Sequence, residues 1–435
     1  MTRHAGRAAF AALAVALAAL WAAVRPDGIT GSSYIGQLAG AEAILLLSVG
    51  LVLISTLPWV EAWFDGIDRA AIWHRRVAIT GLLLLIPHIT LSSGRGGGGG
   101  SLAVIATVGM IALVAWAILP RWQSVVPRPL RGLVVAARDA PGVAHARAVF
   151  GGYERWRGVH RTTGLFVAAA FIHGLLDASA FDGAAILRWT YVAIGAIGLA
   201  FYVYRELLAR FFSSLHDYQV AAVTAVGAGL TEITMKPLGR AVSWTPGQFA
   251  MVHLEAKDGW HRHPFTISNA PDDGVVRVTV KALGDYTSQL HRLVEPGMPA
   301  VIEGPHGRFR HTRGTDRQLW IAGGVGVAPF LSWVRGLKDE LTQQVDFFYS
   351  NDGPAPFGDE IVAVARRFPT LRVHLVDTSV QGRITAAAAL AAAGDARGLS
   401  VFMCGPQPML RGLQRDLQRA GVRARHIHRE FFDWR

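Results

Sequence analysis

His74-Arg-Arg-Val-Ala-Ile-Thr-Gly-Leu-Leu-Leu-Leu-Ile-Pro-His88 and Gly158-Val-His160-Arg-Thr-Thr-Gly-Leu-Phe-Val-Ala-Ala-Ala-Phe-Ile-His173 decide how the chain is read. Each reads as a membrane helix with a histidine near each end. The histidines stand fourteen residues apart in the first and thirteen in the second. At 1.5 Å per residue, either spacing separates the imidazoles by roughly 20 Å along the axis. Two such helices side by side offer two stacked pairs, His74 with His160 and His88 with His173.

A bis-histidine pair inside a helix bundle is a haem site. The competing reading of any one of these residues is a histidine satisfied within an ordinary core. Two points weigh against it. An ionisable side chain inside a bilayer is costly and so marks function. The chain has sixteen histidines, yet only these four fall inside its apolar spans. Ideal geometry fits one helix better than the other. Fourteen residues return within about 40° of the starting face, whereas thirteen end about 140° away.

The totals agree with a membrane protein of two or three domains: 435 residues, 51% hydrophobic and 17% charged. The net charge of +12 does not indicate nucleic acid, because the arginines are not gathered on a basic face with aromatics. Many sit beside the apolar spans, as cytoplasmic loops require. The single cysteine, Cys404, excludes an internal disulfide framework and a cysteine-ligated iron–sulfur cluster.

Residues 8–24, after Arg3 and Arg7, read as a retained first span rather than a cleaved signal. Further spans are expected at roughly 37–59, 72–91, 101–120, 158–177 and 186–204, six in all. Segment 121–157 holds Arg121, Arg128, Arg131, Arg138, Arg147, Arg155 and Arg157, against Asp139 and Glu154. Arg69, Arg75 and Arg76 flank the third span, while the alternate loops are lean in arginine. This puts both termini in the cytoplasm, His74 and His160 on the cytoplasmic side, and His88 and His173 on the outer side of a plasma (inner) membrane. The Gly96–Gly100 run reads as a slack outer connector.

After about residue 212 the texture changes. Alternating β-branched runs such as Val275-Val-Arg-Val-Thr-Val280, broken by Pro246-Gly247 and Asp272-Asp273-Gly274, suit a small antiparallel barrel over 213–312. From 316 on, apolar strands alternate with helical stretches, the pattern of a parallel α/β sheet over 313–435. The expected protein is therefore multi-domain: a six-helix transmembrane bundle over 1–212, an antiparallel β-barrel, then an α/β parallel-sheet nucleotide-binding domain.

His263-Pro264-Phe265-Thr266 ends a barrel strand, and Val280-Lys281-Ala-Leu-Gly284-Asp-Tyr286-Thr287 opens a short helix. A flavin dinucleotide needs strand-end side chains at its ring and backbone N–H groups at its pyrophosphate. Alone, each stretch also reads as an ordinary strand and turn. Ile321-Ala-Gly323-Gly324-Val-Gly326-Val-Ala-Pro329 is a glycine-rich turn between a strand and a helix, placed for a dinucleotide phosphate. Its spacing is not the G-x-G-x-x-G fingerprint. Phe402-Met-Cys404-Gly405-Pro406 closes a later strand. Cys404 reads either as a buried structural thiol or as one beside a nicotinamide.

In the order HPFT, KALGDYT, EGPHGRF, GGVGVAP and CGPQPM, the C-terminal half resembles the ferredoxin–NADP reductase superfamily. With Phe64-Asp-Gly-Ile-Asp68 before His74, and the two histidine pairs, the N-terminal half resembles the ferric-reductase-type transmembrane domain. Together they are similar to membrane ferric reductases and NADPH oxidases in a short bacterial form. The resemblance implies that His263, Pro264, Phe265 and Thr266 contact FAD, and that Lys281, Gly284, Tyr286 and Thr287 hold it. It implies a nicotinamide dinucleotide at Gly323, Gly324, Gly326, Pro329 and Ser350, with Cys404 and Gly405 near the transferred hydride. Phe432, followed by Trp434, matches the aromatic tail that covers the flavin ring. Two departures stand out. Tyr349-Ser350 is followed by Asn351 and Asp352, where members using NADPH often carry arginine, although Arg383 could compensate. That leaves NADPH or NADH open. The second span has Thr56 near its cytoplasmic end, where a basic residue is often found.

The reading is a transmembrane oxidoreductase that passes electrons from cytoplasmic NAD(P)H through FAD and two b-type haems. His74 and His160 hold the inner haem and His88 and His173 the outer. A ferric chelate is the favoured acceptor, with dioxygen or a periplasmic protein as alternatives. A redox-sensing transporter would need polar groups at mid-membrane, and the spans offer almost none besides these histidines and Glu42. A haem-binding subunit without turnover would leave complete flavin and nucleotide motifs without use.

Overall fold

The computed structural model describes residues 5–92, 98–118, 132, 142, 153–212, 214–257, 259–283, 286–338 and 341–430. The chain forms two compact units, Met1–Phe212 and Ser213–Arg435.

The first unit is helical: α1 (Ala5–Ala23), α2 (Gly31–Leu53), α3 (Pro58–Phe64), α4 (Ile67–Leu91), α5 (Gly100–Ile118), α6 (Tyr153–His160), α7 (Thr163–Asp177) and α8 (Ala185–Val203). Among the described residues, five helical stretches are long and apolar enough to cross a membrane. They are α1, α2, α4, the α6–α7 stretch and Ala185–Leu208. Five of the six expected spans are met among the described residues; the remaining one, 101–120, falls on α5, which is apolar but whose described part, Gly100–Trp116, is shorter. Residues 119 and 120 of the expected span, and Arg121, Arg128, Arg131, Arg138 and Arg147, lie outside the described residues.

Helix α2 forms the centre of the unit, buried from Ser33 to Leu53 along most of its length. Its start is fixed by the Thr30 hydroxyl, which accepts the Ser33 N–H. Helix α1 packs onto it through buried Leu17 and Trp21. The Trp21 indole donates to the Tyr34 carbonyl at 3.3 Å, and the Tyr34 hydroxyl donates to the Trp21 carbonyl at 2.7 Å.

The expected fifth span, 158–177, is not one straight helix. It breaks at Arg161–Thr162, between α6 and α7. The Thr162 N–H turns back to the Val159 carbonyl at 2.9 Å. This break removes the phase problem of the thirteen-residue spacing. His160 closes one helix and His173 belongs to the next, so the 100° step does not run unbroken between them.

The second unit opens with a six-stranded antiparallel sheet, ordered β4-β3-β6-β1-β2-β5. Its strands are β1 (Leu215–Gly227), β2 (Leu230–Pro237), β3 (Phe249–Ala256), β4 (Gly259–Thr266), β5 (Val276–Lys281) and β6 (Pro299–His306). The expected barrel is corrected to a curled sheet. Irregularities at Val220/Ala222, Ala225/Gly227 and Phe249/Met251 bend the strands. The seam between the edges β4 and β5 is closed by one bridge, Ile267 to Val278, rather than by a full ladder. Val276, Val278 and Val280 alternate into the enclosed core with Ile233, Val252 and Ile302.

A five-stranded parallel sheet follows, ordered β11-β10-β7-β8-β9. Its strands are β7 (Arg317–Gly323), β8 (Gln344–Asn351), β9 (Leu371–Asp377), β10 (Leu399–Cys404) and β11 (Ile427–Arg429). The central strands β7 and β10 are buried along nearly their whole length, as a sheet covered on both faces requires. Helix α9 (Ala328–Arg335) ties this sheet to the curled one. The Ser332 hydroxyl donates to the Asn269 carbonyl at 2.9 Å, and the Trp333 indole to the Pro246 carbonyl at 3.2 Å. Arg335 bonds Glu232, Glu360 and the Ser268 carbonyl. Burial would lower its pKa, but the two carboxylates outweigh this and raise it.

Candidate functional site

The helical unit brings the four histidines together in the expected pairs. The ring centres of His74 and His160 stand 6.1 Å apart with planes at 80°; those of His88 and His173 stand 6.2 Å apart at 71°. With a metal–imidazole bond of about 2.0–2.1 Å and about 1.1 Å from nitrogen to ring centre, two axial imidazoles on one metal stand about 6.2 Å apart. Both pairs have that separation. Among the described residues no three His, Cys, Asp or Glu side chains gather as a metal cluster. A haem needs only two protein ligands, because the macrocycle supplies the rest.

Each imidazole also presents Nδ1 to an oxygen. His74 Nδ1 lies 2.9 Å from the Gly50 carbonyl, and His88 Nδ1 lies 3.0 Å from the Gly36 carbonyl and 3.0 Å from the Ser92 hydroxyl. His160 Nδ1 lies 3.4 Å from the Thr163 hydroxyl, and His173 Nδ1 lies 3.1 Å from the Asp177 carboxylate. Donation from Nδ1 in all four leaves Nε2 bare for iron, the tautomer a haem ligand needs. The Trp156 ring stacks on His160 at 4.7 Å.

Helix α2 supplies what sequence reading missed. A Cβ on Gly36 would lie 2.6 Å from the Ser92 nitrogen, and one on Gly40 would lie 2.6 Å from His88 Nδ1. Only glycine lets α4 and its histidine approach so closely. The available signal was Gly36-Gln-Leu-Ala-Gly40, a small-x-x-x-small pattern in an apolar helix. A cavity of about 240 Å³ opens beside the His88–His173 pair, lined in part by Gly40, Ala41, Ala103, Ala106, Ala170 and Gly174. These small side chains leave space for a flat macrocycle, and the residues fit haem.

In the second unit, His263 lies on β4 with His261 two residues before it, so both share one face. The Tyr286 ring stacks on His261 at 4.1 Å and on His263 at 4.7 Å. His261 was not foreseen, although its period-two spacing from His263 was visible. Phe265 continues the row, 5.9 Å from His263. Pro264 pairs with Met251, and Thr266 with Phe249. The Thr266 hydroxyl is buried without a hydrogen-bond partner, an orphan a ligand would satisfy. The Thr287 hydroxyl accepts the Leu283 N–H at 3.1 Å. Lys281 ends β5 with its Nζ 3.7 Å from where a Cβ on Gly324 would stand. Gly284 lies outside the described residues. The aromatic stack, the orphan hydroxyl at the end of β4 and the lysine at the end of β5 fit FAD.

Glu303 on β6 anchors this strand end, accepting from Arg262 at 2.8 Å and lying 3.2 Å from His253 Nε2. Burial would push its carboxyl up, but the His253 hydrogen bond and the Arg262 charge outweigh this and hold it at about 2. A depressed carboxyl stabilises the fold above its unfolded pKa of 4.5, and that stability is lost as pH falls toward 2. The span corresponds to roughly 3 kcal/mol at neutral pH. Glu303→Gln is therefore expected to lower the thermal midpoint at pH 7 and to lose most of that difference near pH 2–3. Equal destabilisation at both pH values would contradict it.

The glycine loop sits at the crossover of the parallel sheet. The chain order reverses between β7 and β10, and a ligand binds such a sheet at the carboxyl ends of those strands. Gly323 ends β7; Gly324, with φ +55°, and Gly326 form the turn; and Pro329 lies in the first turn of α9. A Cβ on Gly326 would lie 2.3 Å from the Cys404 carbonyl oxygen, and one on Gly405 would lie 3.2 Å from the Gly323 Cα. The two strand ends therefore touch through glycine. The Cys404 side chain is fully buried among Val327, Phe330 and Phe402. Burial, then the charge of Glu430, push its thiol well above the ordinary range, so it stays neutral.

Ser350, the penultimate residue of β8, pairs between Gly323 and Val376. The Asn351 amide that follows donates to the carbonyls of Asp352 and Pro354 at 3.2 and 2.9 Å. Asp377, at the end of β9, accepts the Gly353 N–H at 3.1 Å. The Ser379 hydroxyl and N–H hold its carboxyl below the usual range. Phe432 and Trp434 lie outside the described residues.

A family model described as an FAD-binding domain matches residues 215–347. The glycine betaine monooxygenase reductase subunit of Chromohalobacter salexigens is 29% identical over 43% of this chain and 55% of its own length. NADPH oxidase 1 of Mus musculus is 27% identical over 35% of this chain, and respiratory burst oxidase homolog protein B of Solanum tuberosum is 27% identical over 36%. The chain spans 27% and 20% of those two relatives, respectively. A flavohemoglobin structure from Malassezia yamatoensis superposes with a TM-score of 0.51 at 17% identity, over 93% of this chain and 99% of that one. That likeness concerns the fold alone. The chain thus holds an FAD-binding domain and is similar to monooxygenase reductase subunits and NADPH oxidases, in keeping with the family its motifs resemble.

Proposed function

We propose that the protein is a multi-pass plasma-membrane oxidoreductase that carries electrons from cytoplasmic NAD(P)H to an acceptor on the outer side, a ferric chelate. The observation that carries this reading is the two imidazole pairs at 6.1 and 6.2 Å in a chain that also holds an FAD-binding domain. When bound, FAD takes a hydride and gives up electrons singly, and two b-type haems relay them one at a time. Gly323, Gly324, Gly326 and Pro329 receive the nucleotide phosphates at the start of α9. Ser350 and Asp352 accept the ribose hydroxyls, and Cys404 and Gly405 line the hydride position. His263, Pro264, Phe265, Thr266, Lys281, Tyr286 and Thr287 hold the flavin. His74 with His160 hold the inner haem, and His88 with His173 the outer, with the arginine-rich loops and both termini facing the cytoplasm.

Asp352 and Asp377 put negative charge where a 2′-phosphate would lie, which favours NADH over NADPH. Dioxygen is the second acceptor, favoured by the oxidase relatives. The test is anaerobic addition of NADH, then NADPH, to purified FAD-loaded protein while haem absorption is followed. Haem reduction is expected with both nucleotides, faster with NADH. A protein without haem bands, or one that neither nucleotide reduces, would sink the reading. Adding ferric citrate or dioxygen to the reduced protein then ranks the acceptors by reoxidation rate.

A further inference from the structure

Three of the four imidazoles offer Nδ1 to a neutral oxygen: Gly50 for His74, Gly36 and Ser92 for His88, and Thr163 for His160. The fourth does not. His173 Nδ1 faces the Asp177 carboxylate at 3.1 Å, one helical turn further along α7.

Asp177 is in an unfavourable place for an acid. It is buried at the last position of α7, where the carbonyl end of the helix repels negative charge. Burial in an apolar unit adds a desolvation cost. Its other partner is the Gly99 N–H, 3.3 Å from Oδ1. A Cβ on Gly99 would lie 2.6 Å from Oδ2, so this end of the glycine run closes on the carboxylate rather than hanging loose. Helix stability does not account for an acid held in this way, whereas the pairing with His173 does.

Resting on the reading that the pairs hold haem, we infer that Asp177 is a positioning residue that lowers the midpoint potential of the outer centre. A carboxylate accepting Nδ1–H gives the imidazole imidazolate character. That strengthens its donation to iron and favours the oxidised metal. Neutral oxygens at the other three imidazoles do this far less. The outer centre then holds its electron less tightly and passes it on with greater driving force.

The test is a spectroelectrochemical titration of the full-length, haem-loaded protein and its variants. Asp177→Asn is expected to raise one of two midpoint potentials and leave the other in place, and Asp177→Glu to stay near wild type. Potentials that do not move, or that move together, would overturn the role of Asp177. A second measurement needs no variant. The near-infrared charge-transfer bands of the two oxidised haems should be separate in the wild type, and coincident bands would overturn the inference. A wild-type protein without haem absorption would instead overturn the haem reading beneath it.

Discussion

Replacing His74 or His160 with alanine is expected to abolish haem reduction by NADH while flavin reduction proceeds at the wild-type rate. Both side chains belong to the helical unit, and the residues assigned to flavin and nucleotide belong to the other. Losing one member of a pair whose ring centres are 6.1 Å apart would remove one of the two side chains proposed to hold the inner haem. A partner that only hydrogen-bonds a ligand is worth about 10–100-fold in metal affinity, so a lost ligand should cost at least about 100-fold. Stopped-flow absorption at flavin and haem wavelengths separates the two steps. Haem reduction that survives in both variants would show that the pairing is wrong.

Gly326→Ala is expected to stop nicotinamide chemistry without removing the flavin. Its Cβ would stand 2.3 Å from the Cys404 carbonyl oxygen and 2.7 Å from the Gly405 nitrogen, both backbone atoms. Strand β10 cannot yield easily, because it is bonded to β7 on one side and β11 on the other. Overpacking of this kind costs about 1–3 kcal/mol. A displacement of about 1 Å at a hydride-transfer site lowers the rate about 100-fold. The rate of flavin reduction by NADH should therefore fall by about that factor, while dithionite still reduces the bound flavin. An unchanged NADH rate would remove the loop from the nucleotide site.

Much of this was legible in the residues because the physical signals were local. Apolar length gave the spans, period-two alternation gave the strands of the curled sheet, and strand–turn–helix alternation gave the parallel one. The histidine pairs were legible from spacing together with the cost of burying an imidazole. What was not legible depended on neighbours far away in the chain. The seam between β4 and β5 is set by how far three irregularities, two in the β1–β2 pairing and one in β3–β6, bend the sheet, which alternation does not encode. The break at Arg161–Thr162 has no proline or glycine at its own two positions to announce it. Asp177 stands at the end of the expected 158–177 span with no local signal of a role, and its burial against His173 and Gly99 appears only when the ends of α5 and α7 meet. Arg335 gave no hint that it joins two sheets through Glu232 and Glu360.

The carbonyls that face His74 and His88 come from Gly50 and Gly36, and both intervals are fourteen residues. Helices α2 and α4 run antiparallel, so the two contacts work like a pair of pins through matched holes. An axial slip of one residue, about 1.5 Å, misaligns both pins together, and no rotation restores one without losing the other. Gly81 tightens the fit between them, since a Cβ there would lie 3.3 Å from the Ala43 carbonyl. The two imidazoles are thus set to one gauge, with a fixed separation of about 21 Å along the helix axis.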